Sequence, residues 1–331
     1  YEYLVKWERE GYFQTTPEMI LTVLPGILLK NKQDSHEREY TLELIEKYPI
    51  TLDTHVWYLF EAPSNVDWAD KWYKRKDSKG NWCDTFIKYT SEGRLNRLRV
   101  LRESLLTANR NFNKTQTGWF VDLFMVLEPT LDEQIALQNE LFAALTCTWS
   151  KPVSNTLKLF KKLAADPRFK VEEFLPLLPV LLMSEVKGIV VSTLAVLEVI
   201  LKRNNEWKET ISAALCNAFF SKDEEVQKKT ATLWMKYMTP NAKACEILAP
   251  YADTLLMSTR TLLKEYLEVG EEVPAVTQEE PVVESIHPIN DENRIPELTS
   301  VEDFAFFLSQ ALDLPEPYYF DHLLNNLVLW G

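Results

Sequence analysis

The residues best suited to recognition chemistry lie in the stretch WADKWYKRKDSKGNW, residues 68–82. Three tryptophans and a tyrosine alternate there with the basic side chains of Lys71, Lys74, Arg75, Lys76 and Lys79. Aromatic rings stack on bases and neighbouring cations bind phosphates, so the stretch could hold a single-stranded nucleic acid. The structural alternative is stronger. Trp68 and Trp72 are four residues apart, which places them on one helical face to pack while the lysines face solvent.

A second basic stretch lies between Arg94 and Lys114, where Glu103 is the one acidic residue. Its cations are Arg94, Arg97, Arg99, Arg102, Arg110 and Lys114. Such a row can bind a phosphate backbone, with an affinity that falls steeply as salt rises. The net charge of the whole chain is −13, however, which disfavours non-specific binding to nucleic acid. We therefore expect these side chains to pair with acids on neighbouring helices.

Hydrolytic, metal and redox chemistry lack their usual signatures. Neighbouring acids occur at Asp132-Glu133, Asp223-Glu224-Glu225 and Glu302-Asp303, and each group lies in a predicted first helical turn, where it complements the macrodipole. Three predicted capping boxes mark these starts, at 130–133, 221–224 and 299–302. The four cysteines form no CxxC pair, the four histidines occur singly, and the 8 glycines form no phosphate-binding loop. The sequence thus predicts no catalytic residue, cofactor or metal, and scattered thiols indicate a reducing cytoplasm.

The residue pattern of the segments that carry these side chains is helical throughout, which predicts an all-α fold. The most apolar run, 174–201, is interrupted by Glu185, Lys187 and its prolines, and the uncharged pieces that remain are too short to cross a bilayer. We therefore expect two helices joined at 184–187. Helices are also predicted upstream, including one at 36–46. We expect no membrane association.

A longer period suggests a repeat. Thr156-Leu157 matches Thr193-Leu194 at an offset of 37, and Val226, Thr230, Trp234 and Tyr237 match Val186, Val190, Leu194 and Leu197 at an offset of 40. Each predicted unit contains two antiparallel helices, and the units are residues 172–203, 206–238 and 243–267. Their repeat period is close to that of HEAT and armadillo repeats. Hairpins of this kind bury their apolar faces by stacking, so we expect an α-solenoid, or superhelix, of HEAT-like antiparallel helical hairpins. An ordinary helical bundle remains the alternative.

These patterns divide the chain into four predicted parts. Residues 1–128 form an irregular helical region, residues 129–267 the HEAT-like repeats, residues 268–299 an acidic linker, and residues 300–331 a terminal helical hairpin, or the start of a further domain. Between residues 268 and 297 there are nine acidic residues, one basic residue and four prolines. The first residue is not methionine and the last ones are apolar, so we expect a piece of a longer protein.

The segment from Arg94 to Leu145 resembles a bacterial family known as domain of unknown function 6493. The similar features are its arginine-leucine helix, Asn109-Arg110-Asn111-Phe112, Trp119-Phe120 and the run Leu127 to Glu133. The resemblance continues to about Tyr237 and implies a large cytoplasmic protein with an α-helical repeat region. It supplies no catalytic residue.

The function expected from the sequence is a non-enzymatic scaffold that offers a helical-repeat surface to another protein or to other domains of the parent chain. The alternative is a nucleic-acid-binding HEAT-like protein, such as a DNA-repair glycosylase, that uses the basic-aromatic stretches 68–82 and 94–114. The residues that would then carry binding are Trp68, Trp72, Lys74, Arg75, Lys76, Arg94, Arg97 and Arg102. A third hypothesis is self-association through residues 268–331.

Overall fold

The computed structural model describes residues 1–31, 38–75, 80–110, 112–204, 206–268 and 300–313. Helices account for most of this part of the chain, so the prediction of a helical protein is confirmed. The α-helices are α1 (Glu2–Arg9), α2 (Pro17–Val23), α3 (Glu43–Lys47), α4 (Val56–Glu61), α5 (Val66–Arg75), α6 (Trp82–Ser91), α7 (Arg97–Leu106), α8 (Lys114–Val126), α9 (Leu131–Ala136), α10 (Gln138–Ala144), α11 (Ser150–Leu163), α12 (Val171–Phe174), α13 (Leu178–Leu182), α14 (Lys187–Arg203), α15 (Lys208–Leu215), α16 (Glu224–Tyr237), α17 (Ala242–Leu248), α18 (Met257–Leu262), α19 (Lys264–Glu268) and α20 (Val301–Asp313).

Shorter turns extend several of these helices. A π-helical turn at Thr51–His55 leads into α4. The 3₁₀ turns are Leu24–Gly26, Thr107–Asn109, Leu175–Leu177, Cys216–Phe220 and Ala249–Thr254. The predicted hairpin at 174–201 is present as α13 and α14, and no helix in the described ranges has the length and apolarity to cross a membrane.

The predicted helix at 36–46 is wrong at 38–40, and residues 36 and 37 lie outside the described structure. A two-stranded antiparallel hairpin takes its place, with β1 (Leu29–Asn31) paired to β2 (Arg38–Tyr40) and Leu29 opposite Tyr40. The reason is tertiary: the Tyr40 hydroxyl lies 3.0 Å from Thr85 Oγ1, and its ring covers Gly80. A Cβ at Gly80 would approach Tyr40 Cζ to 2.5 Å, so only glycine fits beneath the ring.

From α7 to α18, pairwise contacts sort most of the helices into two series, which we call the first and second layers. The first layer contains α7, α10, α13 and α15 with the 3₁₀ turns Cys216–Phe220 and Ala249–Thr254. The second layer contains α8, α11, α14, α16 and α18, and each of these packs on the next in that order. Each second-layer helix also packs on first-layer partners, as α14 does on α13 and α16 does on α15.

The core runs without interruption from Ile20 to Tyr266. Its N-terminal part is aromatic, with the ring of Phe60 in contact with those of both Phe86 and Phe120. A second aromatic group joins the layers farther along, where Phe142 of α10 and Phe160 of α11 meet Phe174 of α12. By backbone contacts the chain divides into two units, Tyr1–Glu272 and Val273–Gly331. Within the second unit the structure describes α20, which exposes Val301 and Phe306.

Candidate functional site

The arginines predicted to bind phosphates or acids are bound to acids. Arg94 Nη1 donates to both carboxylate oxygens of Glu46 in α3, at 2.7 and 2.8 Å. Arg97 Nε donates to Glu133 Oε1 at 2.7 Å, and its Nη2 donates to the Leu127 carbonyl at 2.7 Å. Arg102 Nε lies 2.9 Å from Glu140 Oε1 in α10. The predicted pairing with neighbouring helices is confirmed for these three side chains, and it anchors α7 to α9 and α10.

Asn96 positions this row by capping α7, since its side chain accepts from the Arg99 amide. Arg99 then lies over the Trp57 ring, with its guanidinium carbon 3.7 Å from the ring centroid. Arg110 donates to Glu103 Oε2 at 2.9 Å and also to the Phe60 carbonyl. These arginines therefore connect neighbouring elements through ion pairs, hydrogen bonds and a cation–π contact.

The aromatic-basic stretch is described only in part. Trp68 is 62% exposed, so the prediction that it packs is wrong; α5 instead turns Asp67 and Asp70 inward. The backbone of Trp72, Lys74 and Arg75 continues α5, whereas their side chains lie outside the described structure. Lys76 lies outside the described residues altogether.

Asp70 is a buried carboxylate that the sequence did not single out. Its oxygens accept from the Trp82 amide at 2.7 Å and from Trp119 Nε1 at 3.0 Å, and the Cys83 thiol lies 3.6 Å away. The side chain is 1% exposed. The Asp70 carboxylate thus connects α5, α6 and α8 through hydrogen bonds. Because it is closed to solvent, it has no access to a substrate. The signal that could have found it is an acid on the apolar face of a helix bearing Val66 and Ala69.

The clustered acids lie at helix starts, as the sequence predicts. Thr130 and Glu133 form the capping box of α9. At α16 the cap is Asp223, whose side chain accepts from the Val226 amide, so the prediction of Ser221 at this position is wrong. Thr299 lies outside the described residues, and the neighbouring Ser300 side chain accepts from the Asp303 amide. Among described residues no group of acids, histidines and cysteines could hold a metal ion.

The cysteines within the described chain are all free thiols. Cys83, Cys147 and Cys216 are buried, and burial raises the pKa of Cys216 to about 12. A thiol held protonated in this way is a poor nucleophile.

A groove of about 720 Å³ lies between α14 and α16, on the second layer. Its apolar lining is Val191, Leu194, Ala195 and Leu233. Charged side chains surround this floor, among them Glu198, Lys229 and Lys236. A shallow groove with an apolar floor and a charged rim can bind an elongated partner, because the partner can make apolar contacts with the floor and ion pairs with the rim.

Ion pairs organise the rim of the groove. Glu198 accepts from Lys202 at 2.8 Å and from Lys236 at 2.9 Å, and these two hydrogen bonds lower the pKa of Glu198 to about 2. Lys187 of α14 bridges to Asp223 at 3.1 Å and Glu225 at 2.5 Å. Two of these ion pairs, Glu198–Lys236 and Lys187–Glu225, connect α14 to α16.

A second surface feature is a set of three exposed apolar side chains, each at a turn that precedes a second-layer helix. Met183 follows α13, Phe220 ends the 3₁₀ turn after α15, and Met257 begins α18. Their exposed fractions are 54%, 49% and 80%. The three positions are 37 residues apart, and we call them the apolar edge. The 37-residue spacing can be read from the sequence, whereas the exposure of these three side chains is known only from the structure.

Comparison with known proteins gives one family and no function. The model of the family described as domain of unknown function 6493 (DUF6493) matches residues 1–188. No curated protein and no solved structure matches the chain. The match begins well before Arg94, where the resemblance was first noted, and ends before Tyr237. Because it covers more than half of the chain, the protein belongs to the DUF6493 family.

Proposed function

We propose that the protein is a non-enzymatic scaffold that binds another protein through an α-solenoid of HEAT-like hairpins, in the cytoplasm of a bacterium. The observation that carries this proposal is the apolar edge of Met183, Phe220 and Met257. Contiguous apolar patches mark protein interaction sites, and exposed apolar side chains that recur once per hairpin would form such a patch along a stack of hairpins.

The solenoid is supported by the register of three second-layer helices. At an offset of 37, Thr156, Thr193 and Thr230 occupy equivalent places in α11, α14 and α16, and all three are buried. The same offset aligns Phe160, Leu197 and Trp234, each fully buried. An offset of 40 fits less well, since it matches buried Val226 to Val186, which is 41% exposed. A constant period in burial is what stacked hairpins require, because each helix then contacts its neighbours in the same way.

Buried amides add support for stacking. Gln227 of α16 donates to the Phe219 carbonyl at 2.7 Å and to the Thr254 carbonyl at 2.9 Å, and it accepts from the Leu256 amide. One side chain thus joins the turns of successive hairpins. Gln138 of α10 acts similarly, donating to the Arg168 carbonyl and accepting from the Lys170 amide.

The proposal is tested by affinity purification of the protein from its native cell, followed by mass spectrometry. Triple replacement of the apolar edge, Met183→Glu, Phe220→Glu and Met257→Glu, should abolish capture of a stoichiometric protein partner. The matched control replaces three exposed apolar residues elsewhere, Tyr12→Glu, Trp68→Glu and Val126→Glu, and should retain it. A partner held equally by both variants contradicts a role for the edge, and catalytic turnover by the purified chain contradicts a scaffold.

One observation favours the nucleic-acid alternative, namely the 62% exposure of Trp68 beside Lys71 on α5. The engagement of Arg94, Arg97 and Arg102 with acids weighs against it. If the alternative holds, Trp68→Ala weakens the binding of a labelled single-stranded oligonucleotide at ~50 mM salt. Absence of any mobility shift by the unmodified chain under that condition excludes it.

A further inference from the structure

The cysteine sulfurs of this protein are largely shielded from solvent. Of the four thiols, Cys83, Cys147 and Cys216 are buried and Cys245 is partly buried. Burial raises the pKa of the Cys147 thiol, and it raises the pKa of Cys216 to about 12. Because the thiolate is the form that oxidants attack, these protonated thiols are poor targets for oxidation.

The methionines, in contrast, include sulfur atoms that solvent reaches easily. Of the six methionines in the sequence, Met257 is the most exposed at 80%, followed by Met183 at 54% and Met19 at 38%. The remaining three lie in the core or pack against it; they are Met125, Met235 and Met238. The two most exposed methionines are therefore the two that belong to the apolar edge.

Neither edge methionine needs its side chain to hold the local backbone. The Met183 amide donates to the Pro179 carbonyl at 3.0 Å, and the Met257 carbonyl accepts from Thr261 Oγ1 at 2.9 Å. Met238 differs, because its side chain belongs to the buried cluster. An oxygen added to the sulfur of Met183 or Met257 would thus enter solvent and leave the helices folded, whereas one added to Met238 would disturb the core.

Hydrogen peroxide supplies that oxygen in a two-electron step. The methionine sulfur attacks one peroxide oxygen, so an S–O bond forms while the O–O bond breaks. The departing hydroxide takes the proton of the transferred hydroxyl and leaves as water. Sulfur is oxidised and peroxide is reduced by two electrons, and the product is a polar sulfoxide that reductases return to methionine with a thiol as the reductant.

From these observations we infer that Met183 and Met257 form a reversible oxidation switch, in which peroxide converts both thioethers of the apolar edge to sulfoxides and releases the bound protein. This rests on the proposed scaffold function and specifies how its surface is regulated. Thioethers bind partners through a flexible, polarizable and apolar contact, which the sulfoxide removes. Phe220, whose ring centroid lies 5.4 Å from that of Tyr251, is left unchanged.

The first test identifies the sulfur atoms that react. The full chain is treated briefly with hydrogen peroxide, and peptide mass spectrometry follows each methionine. Sulfoxide should form several-fold faster at Met257 and Met183 than at Met238, because peroxide must reach the sulfur. Circular dichroism verifies that the helices remain. Equal rates at all six methionines overturn the inference.

A second test measures the surface without any partner. The oxidised chain should elute earlier from a phenyl hydrophobic-interaction column than the untreated chain does, since two exposed side chains have become polar. In the double variant Met183→Leu and Met257→Leu, treated and untreated samples should elute together. The matched control, Met19→Leu, removes an exposed methionine outside the edge and should keep the shift. An elution shift of equal size in the double variant and the control overturns the inference.

Partner capture gives the functional readout. The oxidised chain should retain at least about tenfold less protein partner than the untreated chain, because losing one buried methionine contact already has an effect of this size. Methionine sulfoxide reductases of both stereospecificities, supplied with dithiothreitol, should restore capture. The polar replacements Met183→Gln and Met257→Gln together should reproduce the loss without any oxidant.

Failure of the switch is distinguishable from failure of the scaffold function. If the oxidised chain, with sulfoxide at both positions, holds its partner as the untreated chain does, the switch is overturned and the scaffold stands. If neither the treated nor the untreated chain captures a partner, the scaffold is contradicted, and the switch that depends on it is contradicted as well.

Discussion

At the residue scale, the charged side chains of this protein serve mainly to join elements. Arg97 shows the pattern, since one guanidinium bonds both the capping glutamate of α9 and the carbonyl that ends α8. Glu133 in turn accepts from the Thr130 amide, and the Arg97 hydrogen bond lowers the pKa of Glu133 below its ordinary value. Helix α7, whose arginines could be taken for a phosphate-binding surface, thus stabilises the connection between α8 and α9.

Removing the buried carboxylate of Asp70 should be strongly destabilising. The replacement Asp70→Ala leaves the Trp82 amide and the Trp119 indole N–H without their acceptor in a closed site, so we expect a loss of about 3 kcal/mol or more in the free energy of unfolding. Urea denaturation followed by circular dichroism measures it. Asp122→Ala, which removes a half-exposed partner of Lys151, serves as the control and should cost less than about 1 kcal/mol. Similar losses in the two variants would show that Asp70 is not a structural hub.

Glu198 should contribute to stability only above acidic pH. Hydrogen bonds from Lys202 and Lys236 lower its pKa to about 2 in the folded chain, against about 4.3 when unfolded. A depressed carboxyl pKa stabilises the fold above the unfolded value, and this contribution is lost as the pH falls from about 4.3 towards about 2. The difference in unfolding free energy between the unmodified chain and Glu198→Gln, below about 1 kcal/mol at this partly exposed site, should therefore vanish over that range. Urea titrations at several pH values measure it, with Glu185→Gln as a control for removing a nearby charge. A difference that persists at pH 2 contradicts the assignment.

At the element scale, three threonines in equivalent places differ in how their hydroxyls are used. Thr193 donates to the Ile189 carbonyl at 2.9 Å and Thr230 donates to the Val226 carbonyl at 2.8 Å. The hydroxyl of Thr156 is buried with no hydrogen-bond partner. The position therefore requires a β-branched side chain of this volume, and the hydroxyl adds stability only where a carbonyl accepts it.

Valine in place of each threonine separates these two contributions. Thr156→Val should raise the free energy of unfolding by up to about 1 kcal/mol, because it removes an unsatisfied buried hydroxyl at nearly constant volume. Thr193→Val and Thr230→Val should each lower it by about 0.5–1.5 kcal/mol, because a hydrogen bond is lost. The three variants are each other's controls in one series of thermal and urea unfolding measurements. A uniform effect across the series would contradict the difference in hydrogen bonding.

Local signals predicted some of these elements and missed others. The capping box of α9 follows from short-range pattern alone, and it is present. The strand at Arg38–Tyr40 could not be predicted, since Tyr40 is held there by Gly80 and Thr85, some 40 residues away. Asp223 displaced Ser221 as the cap of α16 because its carboxylate also meets Lys187 of α14. Contacts between distant segments thus decided the cases in which local pattern failed.

At the scale of the whole molecule, charge and apolar surface lie on different parts of the helical layers. The groove between α14 and α16 has a charged rim, and the turns between the layers carry the apolar edge. The sequence predicts a repeat through Thr156 and Thr193, but it does not indicate which side chains remain exposed. Burial depends on which helices become neighbours, so the groove and the edge could be recognised only from the packing of the helices.

The continuous core predicts that the first unit folds by itself. Its buried cluster runs from Ile20 to Tyr266, and of the described residues 300–313 in the second unit it contains none. A chain shortened after Glu272 should therefore unfold in one cooperative step in thermal denaturation followed by circular dichroism. Loss of cooperativity, or a molten state, would show that residues 273–331 complete the core.

The same pair of chains decides between folding and assembly as the role of the C-terminal residues. If the protein self-associates through this region, light scattering gives a dimer for the whole chain and a monomer for the shortened one. The unfolding midpoint of the whole chain then rises with protein concentration, because mass action stabilises a dimer, whereas that of the shortened chain does not. An unchanged monomer in both excludes self-association and leaves the apolar edge and the groove between α14 and α16 as the surfaces through which this protein would meet a partner.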